Sequence, residues 1–361
     1  MYNLACVEQY KFPGTTLPYV LDLIPLAAGL ASISTDGNIS VLDPARIGAG
    51  PKRVQATSHG SLTTARAYDA AASVLATTGE NGTVALWDLR DSATGPQASV
   101  KIGTSAARDW PLSLTNTDKY WMNIVDNLAG SCGVNALSLA CDLTTQSVAV
   151  GTELVDYQAS IVIWDIRAGP TPKVKYSDVH SDDITELNFH PSNGHVLLSG
   201  STDGLVNVCD TRIEDEDEVV IQAFNHGASI HHAGFLNETE VYALSHDEKL
   251  ALYDLAEARE AGSATRDFGD LRHVVNCRYV ANVLPKAGGG AVLGAGSQDA
   301  ETFQLVHLAK GAEWAFALDT VVGLPGAHGA EIVRGFCVFD EQQAVYTCGE
   351  DGKVRTWRPP V

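Results

Sequence analysis

The chain of 361 residues carries 44 acidic against 24 basic side chains, a formal charge of −20, and 45% of it is apolar. That balance supplies a sizeable core and argues against extended disorder, while the averaged negative field disfavours direct binding to nucleic acid or anionic membrane. Seven cysteines (Cys6, Cys132, Cys141, Cys209, Cys277, Cys337 and Cys348) are scattered without a Cys-x-x-Cys pair, which argues against a disulfide framework or zinc site and fits a reducing, intracellular compartment.

In chain order, the first predicted element is "LACVEQYKF" at 4–12, which alternates as a strand and is set off by Pro13 and Gly14. The apolar stretch from Leu17 to Ile33 is interrupted by Pro18, Asp22 and Pro25, so it is too broken to span a bilayer. From there one unit recurs, a tight turn followed by a strand: "DGNISVLD" (36–43), "NGTVALWD" (81–88), "ASIVIWD" (159–165), "DGLVNVCD" (203–210) and "DEKLALYD" (247–254). A weaker copy, "QDAETFQLVHL" (298–308), and a clear one, "EDGKVRTW" (350–357), make seven. The terminal aspartates at 43, 88, 165, 210 and 254 are separated by 45, 77, 45 and 44 residues, against roughly 40–45 for a propeller blade.

The unit at 180–210 reads as three strands, Ile184–Phe189, Val196–Ser199 and Leu205–Cys209, with "VVIQAF" (219–224) as a fourth. Four antiparallel strands repeated radially predict an all-β, seven-bladed propeller forming one domain over 1–361. Only four residues follow Trp357, too few for the last unit to make its own fourth strand. The segment 4–12 is therefore expected to pair beside Lys353–Trp357 and close the ring.

These repeats resemble the WD-repeat family, and the resemblance covers nearly the whole chain. It implies a buried network of a His before the first strand, a Ser or Thr on the second, an Asp in the following turn and a Trp on the third. In the fourth unit these roles fall on His180, Ser199 and Asp203, with Cys209 in place of Trp; in the seventh, on His328, Thr347, Asp351 and Trp357. The second has His59, Thr77 and Trp87, with Asn81 replacing the Asp, and Trp164 holds the third unit's Trp position. The phrases "DDITELNFHPSNGHVLLSGSTDGLVNV", "YALSHDEKLALYDL" and "HVVNCRYV" look closer to one branch of the family.

The 77-residue interval holds an excess of roughly 32 residues, placing an insertion at about 93–130 between the second and third units. Of its aromatics, Trp110 and Trp121 are candidate partner contacts, since Trp and Tyr dominate interface energetics. "RIEDEDE" (212–218) places Glu214, Asp215, Glu216, Asp217 and Glu218 between the third and fourth strands of the fourth unit, as a solvated turn or a contact for a basic client. Because third strands all run the same way, this run shares a face with Arg90, Arg167 and Arg212, which follow the third strands of units two, three and four.

The pair His231 and His232, near His226 and His246, lacks a known metal-ligand spacing, and "GGGAVLGAGSQD" (288–299) lacks the lysine and helix of a phosphate loop. No nucleophile elbow or paired carboxylates appear, so no catalysis and no cofactor are expected. The resemblance implies a monomeric scaffold for proteins or peptides. Trp-Asp-x-Arg at 87–90 and 164–167 is similar to the motif by which some WD-repeat proteins dock the adaptor of cullin-based ubiquitin ligases as substrate receptors. The charge of −20 points instead to an escort for a basic protein such as a histone or ribosomal protein.

Overall fold

The computed structural model describes residues 2–14, 17–90, 98–101, 134–168, 171–255 and 262–360. Among them the chain winds into seven sheets in which strands consecutive in sequence pair antiparallel. The inner strands, Val20–Leu26, Leu62–Asp69, Ala136–Asp142, Ile184–His190, Ile230–Phe235, Tyr279–Pro285 and Val333–Phe339, begin blades 1 to 7. Each packs against the next and the last against the first, which closes the ring. In blade 4 the strands are Ile184–His190, Asn193–Ser201, Leu205–Asp210 and Val220–Asn225, within a few residues of the sequence expectation. The turns between second and third strands carry Gly37, Gly82, Gly204 and Gly352 at φ 77°, 67°, 87° and 66°, a left-handed backbone that a Cβ disfavours.

Alternating apolar residues on both faces of a blade bury against its two neighbours, so the core is divided into seven seams. Trp87 packs with Ile33, Leu62 and Leu75 between blades 1 and 2. Trp164 packs with Leu86, Leu139 and Val150 between blades 2 and 3. Trp357 packs with Phe303 and Phe336 between blades 6 and 7. Cys209 takes the same register in the seam of blades 3 and 4, and Tyr253 in that of 4 and 5, where its ring lies 4.7 Å from Phe224.

The N-terminal segment closes the ring as expected: Ala5–Lys11 runs antiparallel to Lys353–Arg358, with Tyr10 opposite Val354. One extension was not foreseen. Tyr2–Asn3 continues past this strand and pairs parallel with Val322 and Gly323, adding to the outer edge of blade 6. That blade differs because its third strand, Thr302–Lys310, is long enough to hold two partners in succession, Val322–Pro325 along one half and Trp314–Phe316 along the other.

Blade 5 departs from the Asp-Gly turn. Glu248 sits where the turns of blades 1, 2, 4 and 7 have Gly, at φ 62°, and its Oε2 accepts the Val280 N–H at 3.0 Å across the seam into blade 6. Burial pushes its carboxyl up to about 7, against the opposing pull of that N–H and of Arg272. The folded state therefore holds this proton more tightly than the unfolded chain, and the associated stability is lost as pH rises through about 7. Glu248→Gln keeps the acceptor and removes the charge. It is expected to melt above the wild type at pH 8 and to lose that advantage at pH 5, as thermal scans across pH would show.

Candidate functional site

Polar networks lie buried inside the blades. His328 Nδ1 lies 2.6 Å from Asp351 Oδ1 and its Nε2 2.8 Å from Thr347 Oγ1, which also accepts the Trp357 indole N–H at 3.0 Å. His180 bridges Asp203 and Ser199 at 3.0 and 2.8 Å; with Cys209 in the Trp position there is no indole to join them. In blade 2, Thr77 joins His59 and Trp87 at 2.9 and 2.7 Å. Asn81 donates its amide to the Ser58 carbonyl at 2.7 Å, so His59 has a neutral neighbour where His328 has the Asp351 carboxylate. Burial pushes His59 down to about 4. Blade 5 has Ala243 in the hydroxyl register, and His226 Nδ1 instead meets the Tyr253 hydroxyl at 3.1 Å.

On the face of the third-to-fourth connections, Arg90, Arg167 and Arg212 share one geometry. Each backbone N–H and each Nε donates to Oδ1 of the aspartate two residues earlier, Asp88, Asp165 or Asp210, at 2.8–3.1 Å. Nη2 donates to Oδ2 at 2.8, 2.6 and 2.6 Å. The intervening N–H of Leu89, Ile166 or Thr211 is tied to the carbonyl of Ser73 or Gln146 in the first-to-second turn, or of His195 at the start of the second strand. The side chains keep 56%, 58% and 63% of their surface exposed, so the guanidiniums are displayed but held back on their own aspartates rather than extended into solvent. Arg212 in turn holds the Asp210 carboxyl down to about 2. The staple also occurs at Asp270 and Arg272, after the outer strand of blade 5, and its signal was the tripeptide Asp-Leu-Arg shared with 88–90.

The acidic run is partly internal. Glu216–Val219 forms a single helical turn capped by the Asp215 carboxylate, which accepts the Asp217 N–H at 3.1 Å. Glu216 Oε2 accepts the N–H groups of Ser177 and Asp178, both at 2.7 Å, and so fastens the connection that enters blade 4. Glu214, Asp215, Asp217 and Glu218 remain exposed. Trp110 and Trp121 lie outside the described residues.

A second cluster, which the sequence reading missed, spans the central channel. Arg66 of blade 2 reaches across to Glu186 of blade 4, Nη2 to Oε1 3.0 Å, and lies 3.7 Å from Asp22 of blade 1. His232 of blade 5 completes it, with Nδ1 2.8 Å from Glu186 Oε2. Burial raises the Glu186 carboxyl, but the His232 hydrogen bond and the Arg66 charge outweigh it and hold the group below its ordinary range. Enclosure raises Asp22, only partly offset by Arg66. The available signal was a polar residue on the inner strand of each of four units, with nothing in the sequence to say that they meet.

Beside it, His231 stacks between His232 and His246 at 4.1 and 4.8 Å, driven down to about 2 by burial and by its charged or chargeable neighbours. Among the described residues no group of three or more His, Cys, Asp or Glu is placed to hold a metal ion, and no helix is long and apolar enough to cross a membrane.

Residues 172–210, which contain the His180, Ser199 and Asp203 network, match the family model "WD domain, G-beta repeat". An uncharacterized WD repeat-containing protein of Saccharomyces cerevisiae is 36% identical over 228 residues, 62% of this chain and 56% of the relative. The chain is similar to WD-repeat proteins over these stretches. The match thus spans little over half the length of that yeast WD-repeat relative. The branch that the longer phrases resemble is that of WD repeat-containing protein 89, whose Dictyostelium discoideum homolog is 34% identical over 108 residues, 29% of each chain. Among solved structures, the WD40 beta propeller domain of Doa1 superposes with a TM-score of 0.63 at 15% identity, covering 100% of this chain and 98% of that one. The WD-repeat propeller is a fold that generally serves as a protein-interaction scaffold.

Proposed function

We propose that this WD-repeat protein is a non-catalytic, monomeric interaction scaffold, formed by a single domain over 1–361 with 93–130 inserted between blades 2 and 3, and that it acts inside the cell, in nucleus or cytoplasm. Its partner-reading surface is the face of the third-to-fourth connections. The observation that carries this reading is the repeated Asp-x-Arg staple, which holds the guanidiniums of Arg90, Arg167 and Arg212 in one orientation on consecutive blades. A donor group fixed before binding loses less side-chain entropy when a partner engages it. In the finer form of the proposal, the Trp-Asp-x-Arg sequences of blades 2 and 3 dock the adaptor of a cullin-based ubiquitin ligase, and the protein presents substrates to it.

The double variant Arg90→Ala plus Arg167→Ala tests this. The guanidiniums are more than half exposed and Asp88 and Asp165 keep the backbone N–H groups of residues 90 and 167, so each pair contributes about 1 kcal/mol and the variant is expected to stay folded, melting a few degrees below the wild type, while the adaptor no longer co-purifies. Unchanged co-purification defeats the ligase reading. The charge of −20 and the exposed carboxylates of Glu214, Asp217 and Glu218 favour a second reading, escort of a basic protein such as a histone or ribosomal protein. Client binding through that surface must weaken steeply from low to high salt.

A further inference from the structure

The opposite face, where second and third strands connect, carries six turns of three or four residues and one longer excursion, the eight residues 153–160 in blade 3. At its tip, Asp156 and Tyr157 both adopt left-handed backbone, φ 52° and 66°, in a tight hairpin closed by two hydrogen bonds between Val155 and Gln158, each 3.0 Å. Two successive positive φ values are the demand of a turn that normally takes Asn-Gly or Gly-Gly. Here the second position holds a tyrosine that is 97% exposed. A fold selected for stability alone would put glycine there, because the side chain is strained by its backbone and gains nothing by packing.

The base of the hairpin is braced. Glu153 accepts from Asn135 N and Nδ2 at 3.0 and 2.8 Å, and the Leu154 N–H donates to Asp183 Oδ1 at 2.7 Å. The ring is therefore projected on a rooted arm, which reduces the entropy lost on binding. Its surroundings are acidic: Asp156 is exposed beside it, and Asp182 and Asp183 stand at the root where Leu154 is held. An exposed aromatic face next to an exposed carboxylate attracts a cation twice, through its quadrupole and through charge.

We propose that Tyr157 is a docking finger for an arginine- or lysine-rich segment of a partner protein, with the cationic side chain over its ring and Asp156 beside it. This surface lies away from Arg90, Arg167 and Arg212, so it extends the scaffold reading to a second face and rests on that reading only for the statement that the protein binds proteins.

The test uses the full chain and two fluorescently labelled glycine-spaced peptides, one rich in arginine and one in glutamate, followed by anisotropy at low salt. The arginine peptide is expected to bind, and the glutamate peptide not. Tyr157→Gly should weaken binding about two- to fivefold with an unchanged or raised melting temperature, because glycine relieves the left-handed strain. Tyr157→Phe should bind as the wild type does, and Asp156→Asn, which suits the backbone, about twofold less tightly. Arg90→Ala plus Arg167→Ala should leave this binding intact, which separates the two faces. Equal binding by Tyr157→Gly, loss in Tyr157→Phe as large as in Tyr157→Gly, or equal binding of the glutamate peptide would each overturn the proposal.

Discussion

Removing residues 1–12 is expected to lower the melting temperature by about 10 °C or more and to make the protein self-associate. The segment supplies the outer strand of blade 7 through Ala5–Lys11 and the added edge strand of blade 6 through Tyr2–Asn3. It also seats Leu4 and Phe12 in the seams on either side of blade 7, both under 9% exposed. Losing two large apolar side chains from a core costs roughly 3–6 kcal/mol, and in a protein of this size about 2–4 °C accompanies each kcal/mol. The unpaired edges of Lys353–Arg358 and Val322–Pro325 would then offer backbone donors and acceptors to other chains. Calorimetry with light scattering measures both effects, and an unchanged melt would refute ring closure by this segment.

Replacement of Arg66 by Met is expected to destabilise the protein by roughly 2–4 kcal/mol, because it strands the Glu186 carboxylate in the channel with His232 and Asn188 as its remaining partners. The upper part of the usual range for breaking a buried pair is reduced because the Arg66 side chain keeps 34% of its surface, whereas Glu186 keeps 5%. Adding Glu186→Gln to Arg66→Met removes the uncompensated charge and should recover a large part of the loss. Urea denaturation of the two single variants and the double variant gives the coupling. If Arg66→Met alone costs less than about 0.5 kcal/mol, the pair behaves as a screened surface contact.

The blades were legible because their signals are local. Asp-Gly and Asn-Gly turns, period-2 strands and spacings of 44–45 residues depend on neighbours a few positions apart, and they placed the strands of blade 4 and the seams filled by Trp87, Trp164 and Trp357. The resemblance carried the His180 and His328 networks for the same reason, since each joins groups within one repeat. It did not carry blade 5, where Ala243 removes the hydroxyl and Tyr253 takes over the histidine's partner role.

The candidate site was legible by half. Arg90, Arg167 and Arg212 could be placed on one face from strand direction alone, but their retention by Asp88, Asp165 and Asp210 required side-chain geometry. Glu216 looked like one of five equivalent acids until Ser177 and Asp178 were brought against it from the preceding blade.

By itself, then, the sequence determined a seven-bladed propeller, its blade order and the strand that closes it, because alternation and turn chemistry act over short stretches of chain and repeat. The tertiary structure alone decided the channel network of Asp22, Arg66, Glu186 and His232, in which Arg66 and Glu186 stand 120 residues apart, and the pairing of Tyr2 with Val322. Such contacts leave no periodic trace in the chain. They exist only because closing the ring turns seven inner strands toward one axis and carries the N-terminus to the edge of blade 6, where desolvation makes each missing partner costly.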